Sequence, residues 1–277
     1  MGMRISTNVT SIAAQRALTG TQRMIQTSMG QLASGSRINK ASDDAAGLAI
    51  SENLKSQIRS YSQAGRNTND GISMVQVAEG GLGEISNILT RMRELAIQSA
   101  SDTVADRERG FIDKEVQQLK SEVERISQTT AFGGVKLING SAEQFDFQVG
   151  IQNDSFNDRI SFLPGEADAT AANLGIEGFD FTSKEGSQTA LETLDTAQVQ
   201  VNGYRANLGA LQNRLQSTYD NLLVMHENIS AANSRIRDTD VAAASAENTR
   251  NTILLQATNS ILAQANQVPQ MALKLVG

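Results

Sequence analysis

Val201, Leu208, Leu215, Leu222 and Ile229 stand seven residues apart, and Tyr204, Leu211, Thr218, Met225 and Ala232 follow each of them at a step of three. Apolar positions alternating by three and four draw a seam along one side of an α-helix, the pattern of a coiled coil. Such a seam must close on another long helix, and two segments earlier in the chain can supply it. From Ala45 to about Ala100 the pattern runs through Leu54, Ile58, Tyr61, Ile72, Val75, Leu82 and Leu89, a helix ~80 Å long if unbroken. Gly65, Gly71, Gly80, Gly81 and Gly83 interrupt it, each at a cost of up to ~1 kcal/mol against alanine. They predict bends or close helix contacts, with Gly80 as the place for a break. The next helix is marked by Ile112, Val116, Leu119, Val123 and Ile126, with Asp102 or Thr103 to cap it.

The two ends carry thinner stripes. Val9 to Leu32 places Leu18, Ile25, Met29 and Leu32 on one helical face, preceded by the capping types Ser6, Thr7 and Asn8 and followed by Gly35. Ser42 or Asp43 suits the start of the following helix. Asp240 to Leu275 places Leu254, Ile261 and Val268 at sevens, with Thr258, Ala265, Ala272 and Leu275 between them, and Thr239 or Asp240 as cap. Pro269 should kink this helix or end it early. Stripes this narrow bury little, so both terminal helices should be marginal in isolation.

Between Gly133 and Ser187 the period changes. Phe145, Phe147, Val149 and Ile151 alternate with Asp146, Gln148 and Gly150, the mark of a half-buried strand. Ile160 and Phe162, then Phe179 and Phe181, repeat the signal more briefly, and most of the phenylalanines lie here. The fold class that results is mainly α: a long antiparallel coiled-coil bundle of paired N- and C-terminal segments, with a small β-hairpin region over about 133–186. Residues 1–43 and 235–277 form one terminal-helix domain and 44–234 the rod-like remainder.

Composition agrees with long thin helices. Aromatic residues are 4%, tryptophan is absent, and Pro164 and Pro269 are the two prolines. A net charge of -6 with scattered lysines and arginines argues against nucleic-acid binding and a polybasic membrane patch. No run of about 18 apolar residues is available to insert into a membrane, and Met1 to Gly20 lacks the apolar core of a cleaved Sec signal. Without cysteine, disulfides, thiolate zinc and thiol catalysis are excluded.

Candidate chemistry thins out quickly. The single histidine, His226, precedes Glu227, but position 230 is Ser230 where a zinc helix needs a second histidine. No Gly-x-Ser-x-Gly elbow occurs. Gly80-Gly81-Leu82-Gly83 has no preceding strand or phosphate-loop lysine, and Asp43-Asp44 is better explained by helix capping than by a metal. Asn8, Asn139, Asn153 and Asn228 begin sequons that are common by chance. Catalytic residues, cofactor and metal are therefore all expected to be absent, and the apolar seams point to self-assembly.

Several long motifs carry a resemblance. Ser34-Gly35-Ser36-Arg37-Ile38-Asn39 through Asp43-Asp44-Ala45-Ala46-Gly47-Leu48-Ala49-Ile50 resembles the N-terminal signature of bacterial flagellins, and Arg91-Met92-Arg93-Glu94-Leu95-Ala96-Ile97-Gln98-Ser99-Ala100 their second motif. Asn202 to Leu215, Ser234-Arg235-Ile236-Arg237-Asp238-Thr239-Asp240 and Leu262 to Gln270 resemble the C-terminal half. Gln31, where a basic residue is frequent, and the Leu275-Val276-Gly277 ending depart from the pattern.

The resemblance implies a short flagellin without large outer domains: a motility filament subunit that polymerises with itself, exported through the flagellar type III route to the extracellular filament. It implies an export chaperone at the C-terminal helix, hook-associated junction and cap proteins as neighbours, and a host innate receptor patch at Arg91, Leu95 and Glu115. The terminal helices, with Leu18, Ile25, Leu32, Leu254, Ile261, Val268 and Leu275, would carry polymerisation. A hook–filament junction protein of the same superfamily is the rival structural reading. An enzyme on a flagellin scaffold would need a central insertion that the chain has no room for.

Overall fold

The computed structural model describes residues 7–141 and 143–276, with the side chains of 268–276 outside that description. Ser6 therefore lies outside the described residues, as do the side chains of Val268, Ala272 and Leu275. The chain runs through α1 (Val9–Ser34), α2 (Ala45–Ser99), α3 (Asp106–Thr129), β1 (Ala131–Phe132), β2 (Val135–Lys136), β3 (Phe145–Gln148), β4 (Arg159–Phe162), α4 (Lys184–Arg237) and α5 (Val241–Val276). It divides into two compact units. One joins the chain up to Ile58 with the chain from Asn228 onward, and the other is Arg59–Glu227.

In the Arg59–Glu227 unit the heptads close as their spacing requires. Val75, Leu82, Ile85, Leu89 and Met92 of α2, Ile112, Val116 and Val123 of α3, and Val201, Leu208, Leu211 and Leu215 of α4 share one buried cluster. Leu222 is buried too, whereas Ile229 is only partly covered and falls in the other unit. The helix α2 does not break at Gly80. It continues to Ser99, because two of its glycines serve close approach: a Cβ on Gly71 would meet the Phe147 ring at 3.1 Å, and one on Gly81 would meet Thr130 Oγ1 at 2.7 Å. Gly80 and Gly83 face open space.

Helix α3 starts later than Asp102 or Thr103. Ala105 is its N-cap, and Glu108 Oε2 accepts the Ala105 N–H at 3.3 Å. The intervening turn is held by Arg109, which is buried and donates to the Ser99 and Ser101 carbonyls and to Asp106 Oδ1 at 2.7–2.9 Å.

The β region is smaller than its sequence signal. β3 and β4 pair antiparallel with Phe145 opposite Phe162 and Phe147 opposite Ile160. β1 and β2 turn at Gly133 and Gly134, both with positive φ, the backbone that a two-residue hairpin demands. Phe179 and Phe181 are not a strand. They sit in a loop whose ends are bonded to helices: Asp113 Oδ1 accepts the Phe181 N–H at 3.1 Å and Ser99 Oγ donates to the Phe181 carbonyl at 3.0 Å. With Phe181 fully buried, two aromatics two residues apart anchor a loop and imitate a strand in the sequence.

In the terminal unit, α1 and α5 lie antiparallel. Asn8 Nδ2 donates to the Ala265 carbonyl at 2.8 Å, while Ser28 Oγ meets Asn248 Oδ1 at 3.3 Å at the other end. Asn8 is also the N-cap, accepting from Ser11 N, and Gly35 (φ 68°) terminates α1 in the left-handed region. Asp44, rather than Ser42 or Asp43, caps α2 by accepting the Gly47 N–H at 2.8 Å. Asp43 clamps the turn before it through the Asn39 and Lys40 amides.

Asp240 caps α5 through Ala242 and Ala243. The helix runs past Pro269 to Val276, since one proline removes a single backbone donor and the residues around it carry the ladder on. Gln31 has its own use: its Nε2 donates to the Arg37 carbonyl at 3.1 Å.

The two turns of this unit bond to each other. Ser36 and Asp238 form a β-bridge, flanked by Arg37 N to the Arg237 carbonyl at 2.6 Å and Thr239 N to the Gly35 carbonyl at 3.0 Å. Arg237 Nη1 also reaches Glu52 Oε1 at 2.5 Å. These bonds bring the first turns of α2 and the last turns of α4 into the terminal unit. The packing divides inside the two long helices, at 58/59 and 227/228.

Candidate assembly surface

The seam between α1 and α5 is built from small and polar residues. On α1 its buried members are Ser11, Ala14, Thr21 and Ser28, with Leu18, Ile25 and Leu32 half-buried beside them. On α5 the seam is Ala244, Asn248, Asn251, Leu255, Thr258, Leu262 and Ala265. Both lists repeat every seven residues. The hydroxyls of Thr21 and Ser28 bond back to the Ala17 and Met24 carbonyls, so they are satisfied and let the helices approach. Asn251, 4% exposed, leaves its side-chain nitrogen without a partner among the described residues.

This corrects the register read from the sequence. Leu254 and Ile261 do not lie in the α1·α5 seam; they are 45% and 57% exposed. Met29 is also exposed, whereas Thr258 and Ala265 do lie in the seam. The seam passes one residue later, through Leu255 and Leu262. An apolar period picks out leucine and isoleucine, and here Leu255 and Leu262 share the inner positions with alanine, asparagine and threonine. The signal that finds the true seam is the seven-residue recurrence of small residues, Ala14-Thr21-Ser28 against Asn251-Thr258-Ala265.

With the seam so assigned, the outward faces are mostly polar, with Arg16, Arg23, Gln256, Ser260 and Gln264 exposed on them, and carry a few large apolar residues. Ile253 falls opposite the seam at 100° per residue, with Leu254 and Ile261 toward one flank. On α1, Val9 and Ile12 lie on the far side from Ala14 and Thr21. All are exposed. A helix pair with apolar residues on its outer surfaces has more sides to bury than one partner can cover.

The third group of residues, Arg91, Leu95 and Glu115, is only partly a surface. Arg91 bonds Glu94 at 2.9 Å and Glu115 at 3.0 Å, and the two carboxylates raise its pKa further, Glu94 first. Leu95 is 2% exposed. It packs in the buried cluster because it continues the α2 seam three residues after Met92. Its side chain offers almost no surface, so Arg91 and Glu115 supply the exposed part of this group.

Among the described residues no group of histidine, cysteine and carboxylate side chains is placed to hold a metal, and no helix is long and apolar enough to cross a membrane. His226 is half-buried on α4. Asp43 accepts backbone amides and Asp44 caps α2, which leaves both with the roles that capping chemistry assigns.

Comparison with known proteins agrees with this architecture. The bacterial flagellin N-terminal helical region matches residues 5–143, and the bacterial flagellin C-terminal helical region matches 191–276. A flagellin of Halalkalibacterium halodurans is 42% identical over 99% of this chain and 100% of its own. Flagellin D of Vibrio anguillarum is 34% identical over the whole of both. The crystal structure of Bacillus cereus flagellin aligns with a TM-score of 0.51 and 31% identity, covering 61% of this chain and 94% of that one. Two terminal helical regions matched in order, and relatives aligned end to end, mean that the chain belongs to the bacterial flagellin family, a structural subunit of the extracellular flagellar filament and no enzyme.

Proposed function

We propose that the outer faces of α1 and α5 are the surface through which this flagellin polymerises. The observation that carries the reading is the exposure of Ile253, Leu254 and Ile261 on a helix whose inner seam is already closed by α1. Each large apolar side chain moved from water into an interface contributes about 1.5 to 3 kcal/mol, and the gain recurs at every subunit of a helical polymer. The terminal residues Val268 and Leu275 extend the same helix and belong to the same reading.

The same face accounts for the export chaperone that the family resemblance implies. Exposed apolar side chains waiting to polymerise need cover before export, and α5 is where that cover would sit. Export without a cleaved Sec signal, through the flagellar type III route, belongs to this proposal, as do the hook-associated junction and cap proteins at the filament ends. The innate-receptor reading is left with the Arg91–Glu115 ion pair, since Leu95 is interior.

The test is Ile253→Asn combined with Ile261→Asn. The variant chain should keep the melting transition of the Arg59–Glu227 unit and fail to pellet as filaments after seeding. Filaments formed at the normal protein concentration would sink the reading.

A further inference from the structure

Asparagine followed by glycine occurs twice in the chain, at Asn139–Gly140 and at Asn202–Gly203. The dipeptide carries its own chemistry. The backbone nitrogen of the second residue can attack the side-chain Cγ of the first, and a glycine, with no Cβ, hinders that attack least. The two copies stand in different surroundings. Asn202 and Gly203 lie inside α4, where the helical ladder commits the Gly203 N–H and fixes the backbone. Asn139 and Gly140 lie in a bend after β2, with Asn139 half-buried and Gly140 exposed. The Gly140 N–H makes no backbone hydrogen bond among the described residues.

The group to be attacked is prepared as well. Asn139 Oδ1 accepts the Ser141 hydroxyl at 2.7 Å and the Ser141 N–H at 3.2 Å. These bonds fold the side chain back over the peptide that follows it. Donors aimed at a carbonyl oxygen also stabilise the charge that an attack on its carbon creates. The leaving nitrogen, Asn139 Nδ2, has only a 3.5 Å contact to Gln128 Oε1 to hold it. The glycine is required where it stands. Its φ of 72° is left-handed, and a Cβ on it would meet Asp168 Oδ2 at 2.7 Å. The turn therefore needs the one residue that leaves its nitrogen unshielded.

We propose that Asn139 is a site of spontaneous modification, converting to aspartate and isoaspartate through a cyclic imide with Gly140. The Gly140 nitrogen gives its proton to hydroxide and bonds to Asn139 Cγ. The Cγ–Nδ2 bond breaks, and the nitrogen leaves as ammonia with a proton taken back from water. Water then opens the ring. Opening at the side-chain carbonyl restores the ordinary backbone, and opening at the main-chain carbonyl routes the backbone through the side chain. One water is consumed for each ammonia released, and nothing is oxidised or reduced. Either product adds a carboxylate one residue from the Gly140–Asp168 contact. It also adjoins the bond from Ala169 N–H to the Ile138 carbonyl at 2.9 Å, so this bond should loosen.

The test compares the two sites in one chain. The protein is kept folded, or unfolded in urea, in mildly alkaline water enriched in heavy oxygen. Peptides holding Asn139 and Asn202 are then followed by mass, since new label marks each hydrolysis. In the folded chain Asn139 should convert roughly tenfold or more faster than Asn202, whose helix must open first. In urea the two rates should come close together, because only the fold separates them. An isoaspartyl methyl-transfer assay should detect product in the folded sample. Asn139→Asp, which carries the new charge, should speed amide exchange at Ala169, whereas Asn139→Gln should take up no label at this position. A folded chain that protects Asn139 as fully as Asn202 overturns the proposal. An unchanged folded rate in Ser141→Ala overturns the part given to the Ser141 hydroxyl.

Discussion

In the Arg59–Glu227 unit the helix seams are closed by Val75, Leu82, Leu89, Val201, Leu208 and Leu215, all buried. In the α1·α5 pair the equivalent seven-residue positions are held by Ser11, Ala14, Thr21, Ser28, Asn251 and Ala265. The two seams share a periodicity and differ in what they bury. Branched side chains exclude water from many atoms at once. Serines, alanines and asparagines let backbones approach but remove little apolar area, so the helix pair gains less from closing. Leu18, Ile25, Leu32, Leu255 and Leu262 line this seam but are only half-buried, and Ile253, Leu254 and Ile261 lie outside it, exposed. The rod unit buries its large apolar side chains inside one chain, and the terminal unit leaves several of its own exposed.

The largest effect that tests this contrast is in the rod. Leu215→Ala removes a fully buried side chain in the middle of the α4 seam and should cost about 2 to 5 kcal/mol. Urea unfolding of the monomer, followed by helix signal, measures it. The matching change on α5, Leu255→Ala, removes a half-buried leucine and should leave the rod transition where it was. A Leu215→Ala midpoint equal to that of the unchanged chain would remove the distinction between the seams.

The contrast also explains what could be read from the sequence. The α4 heptad, the α3 seam and the bounds of α2 were legible because their inner positions are leucine, valine and isoleucine, the types that a hydrophobic period detects. The Gly35 terminus and Asp240 cap were legible because few residues do those jobs. The α5 seam was read one residue early, through Leu254 and Ile261, because most inner positions there are polar or small and large apolar residues also stand just outside the seam. Phe179 and Phe181 imitated a strand because a period of two does not distinguish a pleat from two anchors in a loop. Nothing local marked Arg109 as buried, since its partners are carbonyls brought near by the α2–α3 turn. The resemblance grouped Leu95 with Arg91 and Glu115, while its step of three from Met92 places its side chain in the buried cluster.

A second, smaller effect runs in the opposite direction. Asn251 is buried with an amide nitrogen that has no partner among the described residues, and an unsatisfied buried donor costs roughly 1 to 3 kcal/mol. Asn251→Leu should therefore stabilise the α1·α5 pair by about that amount. A buried asparagine in a seam also fixes which helix alignment is allowed, so the leucine variant should lose selectivity as it gains stability. Amide exchange of α1 and α5 in the monomer measures the first effect, and filament length after seeding the second. Slower exchange with shorter or irregular filaments is expected. Faster exchange in the variant would mean that the amide has a partner and the seam is not under-satisfied.

Smaller again is the cap of α5. Asp240 Oδ1 accepts from Ala242 at 2.9 Å and Ala243 at 3.1 Å, and replacing such a cap by alanine typically costs about 1 kcal/mol. In a unit with a weak seam that is a large share. Asp240→Ala should thus accelerate exchange along α5 while leaving the rod midpoint unmoved. An equal shift in both units would show that they melt as one body.

The smallest effect separates the units by acid and salt. Asp43 has its pKa lowered by the amides of Lys40, first, and Asn39. In the rod, Asp195 is lowered by Arg93 and Asp102 by Lys184. A carboxylate whose folded pKa lies below its unfolded value, 3.8 for aspartate, contributes stability that is fully present above that value. The contribution is lost as pH falls through the folded pKa. Neither unit should therefore respond to these groups between about pH 8 and about pH 5, and both should weaken below ~pH 4. The donors differ, and salt exposes the difference. Arg93 and Lys184 are exposed charged donors that hold their carboxylates first by a direct hydrogen bond and in addition by charge, and that charge contribution is screened over a Debye length of about 8 Å at 0.15 M salt and less at higher salt. The amides that hold Asp43 are fixed dipoles in direct hydrogen bonds, which salt screens far less. In acid titrations at low and high salt, the rod's response should shrink with salt while exchange in the Asn39–Gly47 turn keeps its pH dependence. If the turn loses its acid response at high salt as fully as the rod does, Asp43 is held by diffuse charge and not by the two amides.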